Sequence, residues 1–209
     1  MGSSGVRAYD PVRDADAALA LWQRSLPLWP IARAEFAGVI GDAALVATVD
    51  RQLAGIAAVA HGGRRASLQL LLVDRDRRRC GLGRRLHDAA LDHLRRRGAD
   101  TAGLGGTPAP YLWPGLPAGL DDARAVLERW GWRFGYRCWD LVRDLSDYQT
   151  PREVAARASG SAYRWASGAD RERLAAFEAR HFPSWVAYST ATLSARLSGS
   201  TRPVRSSAR

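Results

Sequence analysis

The chain contains no lysine: all 31 of its basic residues are arginine, and they set a net charge of +10. Proteins that bind nucleic acid usually mix the two, because lysine also serves as a point charge against phosphate. The charge is also uneven, since residues 1–148 carry 21 arginines against 17 acids and residues 149–209 carry 10 against 4. We interpret the excess as a solvated arginine-rich surface with a basic tail, so nucleic acid is not an expected partner.

Cysteine and long apolar runs are scarce as well. Cys80 and Cys138 lie far apart and form no CxxC or Cys/His pattern, which argues against a metal site and a structural disulfide. No apolar segment follows the polar first residues, and no run approaches the ~18 apolar residues that span a membrane. We therefore expect a cytoplasmic protein with no metal and no membrane partner; oligomeric state is not indicated.

Hydrophobic periodicity predicts an α/β (α+β) fold in residues 1–148, with the order β-α-α-β-β-β-α-β-α-β. The predicted strands are Val6–Tyr9, Ala43–Val49, Leu53–Ala60, Ala66–Val73, Thr101–Leu104 and Trp132–Val142. The predicted helices are one capped by Asp14 or Asp16 that ends near Ser25, then Ile31–Ile40, one from the Gly81 turn to Arg97, and one from Asp121 or Asp122 to Trp130.

The rest of the chain predicts a different organisation. Residues 149–160 have the polar, Ala/Arg-rich composition of a linker. A strand at Tyr163–Ala166 and a helix at Ala169–His181 then repeat the opening of the chain, including its later Pro and Trp residues. We interpret residues 161–189 as the truncated start of a second domain and residues 190–209 as a disordered tail; a genuine short tail is the alternative.

One motif indicates chemistry. Gly81 and Gly83 follow a run of arginines, between a buried predicted strand and a predicted helix. Glycine lets the backbone approach a ligand closely, and the first turn of a helix presents unpaired N–H groups and a positive dipole end. The pattern therefore predicts a phosphate or pyrophosphate site, a glycine-permitted turn being the alternative. Neither a Gly-Lys-Ser/Thr P-loop nor the third glycine of a dinucleotide fold is present.

This run, Arg78-x-x-Gly81-x-Gly83 after Val73, resembles the acetyl-CoA pyrophosphate loop of the GNAT family of acyl-CoA-dependent N-acetyltransferases. Residues 126–132 (Val-Leu-Glu-Arg-Trp-Gly-Trp) resemble the segment before the last strand of that family. The resemblance covers residues 6–145. It implies a GNAT-like mixed sheet flanked by helices, and the N-terminal half of a bacterial two-domain member.

The resemblance also implies how a cofactor is held. Backbone groups of Leu71, Leu72 and Val73 would pair with the pantetheine arm like an added strand. Arg78 and the backbone amides of the loop would hold the pyrophosphate, the amides being those of Arg79, Cys80, Gly81, Leu82, Gly83 and Arg84. An N–H near Val73 would polarise the thioester carbonyl, which an acceptor amine attacks directly.

The catalytic half of the pattern is less complete. Leu127 stands where many members have the tyrosine that acts as acid, and Leu120 where many have an asparagine. Tyr111 is the candidate acid, and Glu35 the candidate base, with Asp74 and His61 as further base candidates; a structural role is the alternative for each. We expect an N-acetyltransferase acting on a small-molecule or peptide amine, with a non-catalytic acyl-CoA-binding module as the alternative.

Overall fold

The computed structural model describes residues 4–40, 43–105, 115–135, 137–139, 144–162, 164, 166–183 and 186. Five strands form one mixed sheet in the order β1-β2-β3-β4-β5. They are β1 (Ser4–Ala8), β2 (Ala43–Val49), β3 (Gln52–Gly62), β4 (Arg65–Val73) and β5 (Thr101–Leu104). The first four strands pair antiparallel, and β5 lies parallel to β4 after a helical crossover.

Six α-helices accompany this sheet in the described residues. They are α1 (Pro11–Ser25), α2 (Arg33–Ile40), α3 (Leu82–Arg96), α4 (Asp121–Arg129), α5 (Arg152–Ala158) and α6 (Arg171–His181). Asp10 caps α1 by accepting hydrogen bonds from the N–H groups of Val12 and Arg13, and Pro11 occupies the first helical position, where its missing N–H costs nothing.

The two faces of the sheet have separate cores. Successive residues of a strand point to opposite faces, so Ile56 and Ala58 of β3 face α1 and α2, whereas Ala57 and Val59 face α3. The first core is built around Trp22, Leu21, Phe36, Val39, Val46 and Leu70. The second is built around Leu68, Leu82, Leu86, Ala90 and Leu94. The sheet therefore lies between two helical layers, as the pattern of apolar residues predicts.

A buried carboxylate joins β1 to α1. Asp14 is almost completely buried and accepts two hydrogen bonds from the Arg7 guanidinium at 2.6 and 2.8 Å, and others from the Asp10 N–H and Arg13. The hydrogen bonds from Arg7 are the main reason that the pKa of Asp14 lies well below its usual range. The pair stays ionised at neutral pH and holds the start of α1 against the first strand.

The final strand predicted over Trp132–Val142 is not found: the described residues 132–135 and 137–139 belong to no strand. A strand needs a ladder partner, whereas the chain after α4 is held by other bonds. The Trp132 N–H donates to the Leu127 carbonyl at 3.1 Å, and its ring packs on α3. Trp132, the first aromatic residue of the predicted strand, serves instead as packing against a helix.

The segment after residue 148 also differs in detail from the prediction. The stretch predicted as a linker contains α5, whose alanine, arginine and glutamate residues have high helix propensity but no apolar face that periodicity would reveal. Arg164 and Ala166 lie in no strand, and Tyr163 and Trp165 lie outside the described residues. The predicted helix is present as α6, after a 3-10 turn at Gly168–Asp170. The division into domains stays a prediction.

Candidate functional site

The sheet opens between β4 and β5. The two strands pair only from Arg65 and Thr101 to Leu68 and Leu104, with a last bond from the Gly105 N–H to the Leu68 carbonyl. The pairing of β3 with β4 continues to Val73, with a register shift that leaves Gln69 as the extra residue of a β-bulge. In the described residues, β4 beyond the bulge therefore has no strand partner on the β5 side.

The backbone at this open edge has a definite direction. The Asp74 N–H donates to the Ala54 carbonyl of β3 at 2.8 Å. The two polar groups of one peptide point in opposite directions, so the Val73 carbonyl points to the open side, and the N–H of Val73 points the same way. With a period of two, Leu71 has the same direction, whereas the Leu72 carbonyl points toward Gly55 of β3. Leu71 and Val73 thus offer backbone donors and acceptors to an added extended group.

The loop after β4 has two backbone positions in the left-handed region. Arg79 has φ +63° and Gly81 has φ +82°. Glycine adopts this conformation without strain, whereas an L-residue with a side chain loses about 1 kcal/mol or more. A Cβ at Gly81 would meet no atom within 4 Å. Space therefore does not require glycine at this position, but the backbone conformation favours it.

Gly81 is also the N-cap of α3, and no side chain caps this helix. The first intrahelical bond at this end is donated by the Arg85 N–H to the Gly81 carbonyl. The N–H groups of Leu82, Gly83 and Arg84 therefore have no acceptor within the helix and point outward from its N-terminus. The first turn of α3 holds no acidic residue, in contrast to α1 with Asp14. The positive end of the helix dipole therefore stays available to an anion.

The arginines of the loop have different roles. Arg78 donates from Nε to the Val73 carbonyl at 3.1 Å, so its side chain lies across the end of β4. Arg84 bonds Asp88 at 2.8 Å and lies over the Trp130 ring, along the side of α3. The exposed thiol of Cys80 contacts the Arg77 carbonyl. The loop presents positive charge, although Arg84 reaches the ligand side only through its backbone.

Gly83 lies in closer surroundings than Gly81. A Cβ at this position would be 3.5 Å from Val73 Cγ2 and 3.6 Å from Trp130 Cη2, which is ordinary van der Waals contact. Alanine therefore fits here. A larger side chain would separate α3 from the strand end.

The candidate catalytic residues are not gathered at one point. The Glu35 carboxylate accepts the Ala32 N–H at 2.9 Å and so caps the start of α2. Asp74 is ion-paired with Arg24. His61 contacts the Arg97 carbonyl, at the end of β3 away from Gly55 and Val73. Tyr111 lies outside the described residues, so its role as an acid stays a prediction.

A polar cluster that no sequence motif marks fixes α3. His87 is almost fully buried, and its Nε2 lies 2.9 Å from Trp132 Nε1. Since an indole N–H only donates, His87 Nε2 accepts and its Nδ1–H donates to Asp88 at 2.8 Å. Trp130 packs on the same ring, 4.7 Å between centroids. The sequence offers one indication that His87 is buried: it follows Leu86 and precedes Ala90 by three residues, so it lies on the inward face of α3.

Two absences hold for the described part of the chain. No three or more His, Cys, Asp or Glu side chains come together there in a way that would hold a metal ion. No described helix has both the length and the apolar character needed to cross a membrane.

The described residues thus form an α+β domain whose mixed sheet opens beside a bulged strand, next to an uncapped helix N-terminus. Residues 15–109 match the model of the acetyltransferase (GNAT) family. This region of the chain belongs to that family. The resemblance drawn from the loop motif is thereby confirmed, and so is the fold class.

Solved structures agree with this assignment. The GCN5-related glucosamine N-acetyltransferase region of a fungal multi-domain GH3 β-N-acetylglucosaminidase is 27% identical with a TM-score of 0.77, covering 93% of this chain and 25% of that one. The ribosomal-protein-S18-alanine N-acetyltransferase from Escherichia coli is 26% identical with a TM-score of 0.52, covering 62% and 77%. Ard1 from Thermoplasma volcanium, 21% identical with a TM-score of 0.52 over 64% and 84%, shows the fold alone.

The extent of these matches differs. The chain spans about a quarter of the fungal protein, whereas it spans 77% of the Escherichia coli enzyme. No curated protein matches the chain in sequence. The comparisons therefore assign residues 15–109 to the family, but they do not identify an acceptor.

Proposed function

We propose that this protein transfers the acetyl group of acetyl-CoA to the amine of an acceptor by direct attack. The observation that carries the proposal is the open edge of β4 directly beside the uncapped N-terminus of α3. An extended arm with amide groups fits the first feature, and a pyrophosphate fits the second. Acetyl-CoA contains both in one molecule.

In this proposal the backbone of Leu71 and Val73 pairs with the pantetheine arm. The backbone of Leu72 faces β3 and keeps β4 in place. The amides of residues 79–84 hold the pyrophosphate, with Arg78 adding positive charge. The Arg78 side chain donates a hydrogen bond to the Val73 carbonyl. This bond has to break if the pantetheine arm is to donate to the same carbonyl. These assignments follow the directions of the backbone groups at the open edge.

The chemical step needs no covalent enzyme intermediate. The nitrogen lone pair of the acceptor amine attacks the thioester carbonyl carbon, and a C–N bond forms. The Val73 N–H, which points to the open side, stabilises the negative charge on the carbonyl oxygen. The C–S bond then breaks, the amine nitrogen loses a proton, and the sulfur leaves as the thiol of CoA.

For the acceptor we propose an amino sugar. The fungal structure described as a glucosamine N-acetyltransferase region covers 93% of the chain, whereas the alanine N-acetyltransferase covers 62%. The longer match includes segments beyond the cofactor-binding core, and segments outside that core are where acceptor selection resides on a shared scaffold. A peptide amine is the competing class.

Proton transfer is the open part of the proposal, with Tyr111 as acid and Glu35 as base. A second candidate function, acyl-CoA binding without turnover, is favoured by two observations. Leu127, at the position of the tyrosine of many relatives, is buried and apolar. The Glu35 carboxylate is engaged with the α2 backbone. Both functions predict cofactor binding, and they differ in turnover.

The first test is isothermal titration of acetyl-CoA into the wild type and two matched variants. Gly81→Glu and Gly63→Glu both put a glutamate at an exposed left-handed glycine, φ +82° and +74°, with no atom within 4 Å of the new Cβ. The backbone strain is therefore equal, and only Gly81 lies at the proposed pyrophosphate site. We expect Gly81→Glu to weaken binding by about a hundredfold or more, about 2.7 kcal/mol, and Gly63→Glu to leave it within twofold. A folded wild type that binds no acetyl-CoA, or two variants that lose binding equally, would contradict the assignment.

The second arm measures release of the CoA thiol with glucosamine and with a peptide that begins with alanine. We expect kcat/KM for glucosamine to exceed that for the peptide by about tenfold, which corresponds to about 1.4 kcal/mol. A preference for the peptide would overturn the amino-sugar proposal but not the transferase. Binding of acetyl-CoA without acetylation of any amine would establish the non-catalytic module instead.

A further inference from the structure

Asp74 occupies the junction where β4 ends and the phosphate-binding loop, residues 75–81, begins. Its N–H donates to the Ala54 carbonyl at 2.8 Å, and its carbonyl accepts the Arg77 N–H at 2.9 Å. The Oδ1 atom accepts the Asp76 N–H and so caps the 3-10 turn at Arg75–Arg77. Asp74 therefore sets the direction in which the loop leaves the sheet.

The other carboxylate oxygen reaches a different part of the fold. Asp74 Oδ2 accepts two hydrogen bonds from Arg24, from Nη2 at 2.5 Å and from Nε at 3.1 Å. Arg24 lies in the last turn of α1, 50 residues earlier in the chain. The hydrogen bond from Arg24 is the main reason that the pKa of Asp74 is lowered, so the carboxylate stays ionised at neutral pH. A carboxylate with a lowered pKa that already accepts two hydrogen bonds from one arginine is poorly suited to be a general base.

The loop has little else to hold it. Residues 75–80 are all exposed, and four of them are arginines whose like charges repel one another. Arg78 bonds the preceding strand and Cys80 bonds the loop itself. Arg24 holds this segment from outside β4 and the loop, through its two hydrogen bonds to Asp74.

We propose that Arg24 and Asp74 form a positioning pair that holds the phosphate-binding loop in shape before the cofactor binds, and that couples α1 to cofactor affinity. The proposal rests on the function proposed above, with acetyl-CoA as the ligand of this loop. Neither residue touches the reacting atoms in this account. Without the pair, the loop has to be ordered during binding, which weakens affinity but leaves the bound complex unchanged.

The first measurement is the acetyl-CoA Kd of Arg24→Met, with two comparisons. Methionine keeps most of the apolar stem and removes the donors, whereas Arg24→Lys restores a charge. Arg124→Met removes a similarly exposed arginine that pairs with Glu128 on α4, away from the loop. We expect Kd to rise about five- to tenfold with Arg24→Met, to recover partly with Arg24→Lys, and to stay within twofold for Arg124→Met. In the acetylation assay, KM for acetyl-CoA should rise while kcat at saturation stays unchanged.

The second measurement reports on the loop without any ligand. Trypsin cleaves after arginine, so products that end at Arg75, Arg77, Arg78 or Arg79 can be followed by mass spectrometry on the full chain. We expect Arg24→Met to speed these cleavages by about fivefold, and Arg124→Met to leave them unchanged, because only the former loosens the loop. A merely structural role would speed cleavage everywhere in proportion to lost stability.

The outcomes separate this proposal from the one it rests on. A wild type that binds no acetyl-CoA contradicts the proposed function, and the cleavage rates alone then decide whether Arg24 positions the loop. If the wild type binds acetyl-CoA, an Arg24→Met variant with unchanged Kd or unchanged loop cleavage overturns the positioning pair. Faster loop cleavage together with weaker binding, both recovering with lysine, supports it.

Discussion

Replacing Gly55 by valine should lower the free energy of unfolding by about 3 kcal/mol and disturb the open edge of β4. Gly55 is buried in β3 opposite Val73. A Cβ at Gly55 would lie 2.8 Å from Leu86 Cδ1 and 3.0 Å from the Leu72 carbonyl oxygen. Leu86 is fully buried and cannot move aside, and the carbonyl belongs to the strand that forms the open edge. Forcing extra side-chain atoms into a well-packed core typically costs about 1–3 kcal/mol. Urea denaturation of the variant and the wild type measures the change in the free energy of unfolding.

Gly103 provides the matched control. It also lies within a strand, β5, but is exposed, and a Cβ there would meet no atom within 4 Å. Gly103→Val should be neutral or stabilise the protein slightly, because a β-branched residue suits a strand better than glycine. Equal losses for the two variants would show that strand glycines matter for their flexibility, and the argument from close contact at Gly55 would be wrong.

Gly55 also explains how the site depends on the fold. Its missing side chain lets Leu86 of α3 pack directly on the strand pair that carries Val73. The same helix presents its uncapped N-terminus four to five residues earlier, at Leu82 and Gly81. The distance between the open strand edge and the uncapped N-terminus of α3 is therefore set by how closely α3 approaches the sheet. A residue with no chemistry of its own fixes the spacing between two parts of the site.

Most of the fold is predictable from the sequence because its elements have strong local signals. The apolar run of β4 and the stripe of α3 each predict their element. The cap of α1 was wrongly predicted at Asp14 or Asp16, because both lie at plausible capping positions, whereas the structure caps the helix at Asp10. The anion site expected from the loop motif stays a prediction. The opening of the sheet at Gln69 is not predictable in this way, because a bulge depends on the register of two strands. Nor does the pattern show that Gly55 is a contact glycine.

The catalytic candidates show a further limit. Asp74 and Glu35 are acidic residues near the expected site, and residue type alone does not distinguish a base from a structural carboxylate. The structure shows that Asp74 bonds Arg24 and a 3-10 turn, and that Glu35 caps α2. His87 was overlooked because a single histidine in an apolar stripe carries no motif, although it fixes Trp132. Partners far apart in sequence decide these roles.

The second large effect is expected at Trp22, where α1 meets the segment that joins it to α2. Trp22 is 1% exposed, packs edge-to-face on Phe36, and donates from Nε1 to the Trp29 carbonyl at 2.8 Å. Trp22→Ala should cost about 4 kcal/mol, because it leaves a large cavity and removes the hydrogen bond to the Trp29 carbonyl. Trp22→Phe keeps a ring and loses the donor, and should cost about 1.5 kcal/mol; urea denaturation measures both.

The Trp22→Phe variant also tests whether the end of α1 affects the proposed phosphate-binding loop through Arg24. Trp22 lies two residues before Arg24 in the last part of α1. If the bond to Trp29 helps to fix that end of the helix, Trp22→Phe should loosen the Arg24–Asp74 pair and raise the acetyl-CoA Kd by about two- to threefold, in the same direction as Arg24→Met. In Arg24→Met, where the pair is already absent, the added Trp22→Phe should change Kd no further. Additive effects on Kd in the double variant would mean that the two residues act independently, and that the end of α1 is not a route to the loop.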